Sequence, residues 1–117
     1  MFPYESLDVY KKAFAFNQEI YRFLKIALKI PSYIKSQLGR ASLSIMLNIA
    51  EGSAKFSIRD RRNFFITARG SVFECAAIME FLAAESEIPT SLNEQFGAIL
   101  NEISRMLFTM IKNLDGK

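Results

Sequence analysis

Apolar positions recur at spacings of three and four along almost the whole chain, the signature of helices that each bury one face. In the first segment Tyr10, Ala13, Phe14, Asn17, Ile20, Tyr21, Leu24 and Leu28 form such a stripe, widened by Val9, Phe16, Phe23 and Ile30. The second carries Leu38, Ala41, Ile45 and Ile49, and the third Phe65, Ala68, Val72, Cys75 with Ala76, Met79 and Leu82. The fourth carries Phe96, Ile99, Ile103, Met106 and Met110, with Leu100, Leu107, Ile111 and Leu114 alongside. Ile30-Pro31-Ser32, the run from Gly52 to Ser57, and Ile88-Pro89-Thr90-Ser91 punctuate these segments. Proline inside a helix loses a hydrogen bond, and Gly52 is suited to a left-handed C-terminal cap. The pattern predicts helices over about residues 7–28, 33–51, 58–84 and 92–114. Ser6 is the expected first N-cap, and Ser57-Ile58-Arg59-Asp60 and Ser91-Leu92-Asn93-Glu94 read as capping boxes. No sustained alternation and no Asn-Gly or Asp-Gly hairpin signal supports a strand. The expected fold is a single all-α domain, an antiparallel up-down-up-down four-helix bundle.

Two features exceed what a plain bundle needs. Gln37, Arg40, Ser44, Asn48 and Glu51 line a polar stripe of the second helix, roughly a hundred degrees from its apolar stripe. One cation, one anion, two amides and a hydroxyl look like mutual hydrogen-bonding partners rather than freely chosen surface charges. If the third helix returns antiparallel, facing positions sum to roughly 110–114. That register sets Gln37 and Arg40 near Glu74, and Ser44 and Asn48 near Thr67, Gly70 or Ser71. The expectation is a structural polar brace of Gln37, Arg40, Ser44, Asn48, Glu51, Ser71 and Glu74. Its centre would be a semi-buried Arg40–Glu74 ion pair that fixes register more than it adds stability. A ligand groove is the functional alternative. The second feature is an apolar surplus. Phe73 and Phe108 fall off the core stripes, and the first and fourth helices have wider apolar faces than one core absorbs. Each buried aromatic contributes about 1.5–3 kcal/mol, so the surplus points to a homo-oligomer, against a monomer whose long side chains cover it.

Composition narrows the chemistry. The 117 residues are 50% hydrophobic and 23% charged, a globular balance, and contain no histidine. That removes the commonest general base and zinc ligand. Cys75 is the single cysteine; it lies on an apolar stripe, as a buried inert thiol does, and fits a reducing compartment. Of the carboxylate pairs, Glu51 with Asp60 flanks a loop and Glu85 with Glu87 sits at a helix end. No phosphate-binding glycine loop occurs. No enzyme and no cofactor are expected. No apolar run reaches the length of a membrane span and no signal peptide opens the chain, so a cytoplasmic protein with no membrane contact is expected.

Charge is uneven. Residues 1–72 hold 12 Lys/Arg and 5 Asp/Glu, a net of +7, whereas residues 73–117 hold 3 and 7, a net of −4. Such a split suits a polyanionic partner or subunits docking through opposite charge. Lys55, Arg59, Arg61 and Arg62 gather at the start of the third helix, where cations oppose the helix dipole and phosphate contact would supply a reason for them. Lys11, Arg22 and Lys25, with Gln18 and Lys29, share an outward face of the first helix. These are the candidate nucleic-acid-binding residues, and a solvated face of ordinary charges is the alternative. No helix-turn-helix signature is present.

The run Gln37-Leu38-Gly39-Arg40-Ala41-Ser42-x-Ser44-Ile45-x-x-Asn48-Ile49-Ala50-Glu51-Gly52 resembles the hallmark of the small bacterial four-helix-bundle proteins encoded by intervening sequences in 23S ribosomal RNA genes. Phe64-Phe65-Ile66-Thr67-Ala68-Arg69-Gly70-Ser71-x-x-Glu74 is similar to that family's second block. Leu7-x-Val9-Tyr10-Lys11 and Met106-x-x-x-Met110-Ile111-Lys112-Asn113-Leu114 fit as well. Ser42 stands where alanine is more usual. The resemblance implies a homopentameric ring. It extends to the accessory variability protein of diversity-generating retroelements, which implies binding to nucleic acid and a reverse transcriptase. The resulting expectation is a non-enzymatic homo-oligomer that binds RNA or another nucleic acid through basic surface residues. The alternative is a protein–protein scaffold or adaptor without nucleic-acid contact.

Overall fold

The computed structural model describes residues 1–115. A 3-10 turn, Pro3–Ser6, leads into α1 (Asp8–Ile26), α2 (Ser32–Ala54), α3 (Ile58–Ala84) and α4 (Thr90–Asp115), and the described residues contain no strand. Helices adjacent in sequence pack together and α1 closes against α4, while the diagonal pairs stay apart. The molecule is therefore an antiparallel four-helix bundle, 46 × 26 × 21 Å, in which the α1–α2 side lies opposite the α3–α4 side.

Each helix end has a local cause. Ser6 does not cap α1, because its hydroxyl turns back to the Pro3 carbonyl at 3.1 Å; Leu7 takes the N-cap position without a side-chain bond. α1 stops at Ile26, earlier than the periodicity suggested. The chain bends there, burying Ile30 and leaving Leu28 83% exposed. Ser57 caps α3 as expected, accepting the Asp60 amide at 3.0 Å. α4 starts at Thr90, where the Pro89 carbonyl accepts the Leu92 and Asn93 amides at 3.1 and 3.3 Å. Ser91 thus falls inside the first turn and is no cap. α3 closes in a Schellman motif: Glu87 N–H donates to the Leu82 carbonyl at 2.9 Å and Ser86 N–H to the Ala83 carbonyl at 3.0 Å. This puts Ser86 at φ 60°, a left-handed position usually held by glycine.

Gly52 overturns its expected role. α2 continues through it to Ala54, and no described glycine has positive φ. Its cause is a close approach of α3: a Cβ there would lie 2.7 and 2.9 Å from the Phe65 ring and 3.1 Å from Phe64 Cβ.

The core joins Val9, Ala13, Phe16 and Ile20 of α1 to Leu38, Ala41, Ile45 and Ile49 of α2. Phe65, Ala68, Val72, Cys75, Met79 and Leu82 of α3, and Phe96, Leu100, Ile103 and Leu107 of α4, complete it. The α2 and α3 rows match the sequence pattern. α1 is rotated from it, with Phe14 and Tyr21 exposed and Phe16 buried. α1 must meet α4 as well as α2, and it does so by setting Phe16 and Phe23 edge-on to Phe96, with ring centroids 5.7 and 6.3 Å apart.

Candidate assembly and nucleic-acid interfaces

Only part of the expected brace forms. Gln37 donates to the Glu74 carboxylate, and the Ser44 and Ser71 hydroxyls hydrogen-bond across α2 and α3 at 2.7 Å. Asn48 supports Ser44 from the next turn, donating to its hydroxyl at 3.0 Å and its carbonyl at 2.8 Å. Ser71 also donates to the Thr67 carbonyl at 3.2 Å. Two members do not join. Arg40 makes no ion pair with Glu74 among the described residues; Gln37 occupies that carboxylate, and Arg40 is exposed. An exposed pair would add only about 0–1 kcal/mol against the side-chain entropy it costs. Glu51 instead pairs with Lys55 on its own side of the loop, at 3.7 Å. The brace is a short polar seam, and Gln37 at its end borders a groove lined by Tyr33, Ile34, Ala77, Ile78 and Phe81.

A polar link that the periodicity concealed ties α1 to α2. Asn17 donates to the Ser42 carbonyl at 2.8 Å and to the Ala13 carbonyl at 3.0 Å, and the Ser42 hydroxyl donates back to Asn17 Oδ1 at 2.9 Å. Ser42 is fully buried. The available signal was an amide inside an otherwise apolar row, facing a serine at antiparallel register.

The basic candidates divide between the two ends of the bundle. Lys11 lies near the start of α1, whereas Arg22 and Lys25 lie in its last turns, about 21 Å further along for Lys25 at 1.5 Å per residue. Lys25 rests over the Tyr21 ring at 4.6 Å. Across from these last turns the α3–α4 turn carries Glu85 and Glu87. The cluster at the start of α3 is partly committed. Arg62 forms an ion pair with Asp115 at the end of α4, and Lys55 faces Glu51 and the Phe64 ring, the latter at 5.0 Å. Arg61 Nε donates to the Lys55 carbonyl at 2.7 Å, which leaves its terminal nitrogens facing outward, and Arg59 has no ion-pair or hydrogen-bonded partner among the described residues. Arg59 and Arg61, with the exposed Lys11 at the start of α1, are the cations at this end most available to a ligand.

The apolar surplus has a definite geometry. On the α1–α2 side Phe14, Tyr21, Leu24, Leu43 and Met46 line a shallow groove, and Leu47, 53% exposed, extends the same side of α2. On the opposite side Ile66, Gly70, Phe73, Phe108 and Ile111 line a second. There Arg69 lies between two rings, 4.9 Å from the Phe73 centroid and 5.3 Å from that of Phe108, and donates Nε to the Ser104 carbonyl at 3.3 Å. Phe73 and Phe108 are 56% and 52% exposed. The sequence anticipated these two but not Leu43 and Leu47, which share α2 with a complete core row.

Among the described residues no helix is long and apolar enough to cross a membrane, and no group of three or more acidic, cysteine or histidine side chains could hold a metal ion. Burial, with a smaller contribution from Glu74, pushes the Cys75 thiol up to about 12.

The sequence pattern of 23S rRNA-intervening sequence proteins matches residues 5–109. The chain belongs to that family. No curated protein matches it. Its bundle is similar to the crystal structure of a protein of unknown function from the S23 ribosomal protein family of Bacteroides thetaiotaomicron. The TM-score is 0.85, with 24% identity over 89% of this chain and 98% of that one. At that identity the likeness speaks for the fold, so the two grooves and the Arg59–Arg61 pair are features of this 23S rRNA-intervening sequence protein in its own right.

Proposed function

We propose that this protein is a non-enzymatic, cytoplasmic homo-oligomer whose repeated basic ends bind RNA or another nucleic acid. The carrying observation is that apolar grooves lie on opposite sides of one bundle. A surface that pairs with a different surface on the next copy is heterologous, and such contacts close into rings when the rotation permits. The pentameric ring implied by the family resemblance is one such closure. Assembly changes what a sparse basic end can do. Arg59 and Arg61 alone would hold a polyanion weakly, but several copies on one ring engage it at high effective concentration. The lack of histidine and the suppressed ionisation of Cys75 support a binding role over a catalytic one.

The scaffold reading draws support from the ion pairs that occupy Arg62 and Lys55. One experiment separates the two. Light scattering gives the mass of the wild type, of Phe73→Glu, and of a double variant with Arg59→Glu and Arg61→Glu, and each is titrated with a labelled RNA fragment at low and moderate salt. The proposal expects Phe73→Glu to lower the mass, and the double variant to keep its mass while losing salt-dependent binding. A wild-type monomer refutes the assembly, and an oligomer without salt-dependent affinity leaves the scaffold.

A further inference from the structure

Resting on that reading, we propose that Phe56 is a stacking platform for an unpaired base, so that the nucleic acid this end recognises is single-stranded. The loop between α2 and α3 holds three residues, Lys55 to Ser57. Phe56 at its apex is fully exposed, at 103% of its reference area. Within the subunit, no packing reason holds an aromatic side chain in open solvent at this turn.

The loop around it is held firmly. Lys55 N–H donates to the Gly52 carbonyl at 3.3 Å, Ser57 caps α3 through Asp60 N–H, and Arg61 Nε clasps the Lys55 carbonyl at 2.7 Å. Both flanking residues have extended backbone, with φ/ψ of −79°/144° at Lys55 and −81°/143° at Ser57. The backbone on both sides of the ring is thus fixed, which spares a ligand that meets the loop part of the ordering cost. Arg61, anchored on the carbonyl of the residue before the ring, and Arg59, without a partner among the described residues, follow it within five residues.

An exposed ring with arginines three and five residues further along the chain suits one nucleotide: the ring meets a base face, and the arginines meet neighbouring phosphates. Bases stacked inside a duplex offer no free face, which is why the proposal names single strands. A lipid surface would call for several apolar side chains projecting together; Ile58, two residues on, is also 42% exposed, and the vesicle titration below separates that reading.

The test compares wild type, Phe56→Ala, and the double variant with Arg59→Glu and Arg61→Glu. Each is titrated with a labelled oligouridine, with an RNA duplex of equal length, and with phosphatidylserine–phosphatidylcholine vesicles. Phe56 touches no core residue, so Phe56→Ala keeps the fold. Loss of one stacked base is expected to weaken oligouridine binding about 5- to 150-fold, with the salt slope and duplex binding unchanged. Phe56→Trp would be the only tryptophan in the chain; its fluorescence is expected to be quenched by oligouridine and not by the duplex. Unchanged oligouridine affinity in Phe56→Ala, with binding lost in the arginine variant, overturns the stacking platform and leaves nucleic-acid binding standing. Wild type that binds neither RNA at low salt overturns both. Vesicle binding that Phe56→Ala abolishes while RNA binding persists makes the loop a membrane tip and overturns the proposal.

Discussion

Replacing Gly52 with alanine tests the closest helix approach in the bundle. In a helix interior alanine is favoured over glycine by about 1 kcal/mol, and Gly97 of α4, with nothing within 4 Å of its virtual Cβ, should realise that gain. At Gly52 the added carbon would sit 2.7 and 2.9 Å from the Phe65 ring and 3.1 Å from Phe64 Cβ. Ordinary carbon contacts lie at about 3.5–4.0 Å, so the neighbours must yield by close to an ångström. Phe65 is only 5% exposed, and the Phe64 Cβ moves only with the α3 backbone. Overpacking of this kind costs about 1–3 kcal/mol. Set against the propensity gain, Gly52→Ala should destabilise by about 0–2 kcal/mol while Gly97→Ala stabilises by about 1 kcal/mol. Urea unfolding followed by far-UV circular dichroism gives both values, at one fixed subunit concentration because assembly raises apparent stability. Phe65→Leu should relieve part of the Gly52→Ala loss, giving a favourable coupling in the double variant. If both glycine variants gain stability equally, the close approach does not exist and the account of Gly52 is wrong.

Three further outcomes follow from single contacts. Ser86→Gly removes the strain of a left-handed serine at φ 60° and should stabilise by about 0.5–1 kcal/mol in the same urea assay; a loss would mean that the Ser86 side chain has a stabilising role. The Asn17–Ser42 link should show a coupling of about 1 kcal/mol in a double-mutant cycle with alanine at both positions, and additive effects would make it an ornament. Cys75 rises from 9.0 to about 12 in the folded chain, so above pH 9 the unfolded chain has lost this proton while the folded one keeps it. Its contribution is complete below pH 9 and falls by up to about 1.4 kcal/mol per pH unit towards pH 12; the stability difference between wild type and Cys75→Ala must shrink over that window, and a flat difference refutes the shift.

The sequence pattern made the helix count and topology legible, along with the core faces of α2 and α3, because each of those helices carries one clean apolar row. It misled for α1, where two adjoining rows are apolar and only the requirement to meet Phe96 selects Phe16 over Phe14. The local sequence makes Gly52 a cap, whereas its cause is a ring on the next helix. The antiparallel register correctly paired Ser44 with Ser71 and brought Gln37 to Glu74. It did not show that Arg40 remains in solvent, since choosing between an amide and a guanidinium depends on exposure and not on spacing. The candidate basic residues were visible as charges, but their ion-pair partners were not: Asp115 lies 53 residues from Arg62 along the chain.

In the proposed assembly, the arginine held between Phe73 and Phe108 matters most to a chain newly made and not yet paired. Two half-exposed phenylalanines on one groove would adhere to any passing apolar surface. With a hydrated guanidinium interposed, indiscriminate sticking must strip water from a charge and returns nothing for it. A surface that offers an acceptor or a further π face to Arg69 avoids that penalty. On the proposed assembly, the same side chain opposes indiscriminate sticking of a solitary subunit and screens what covers the groove.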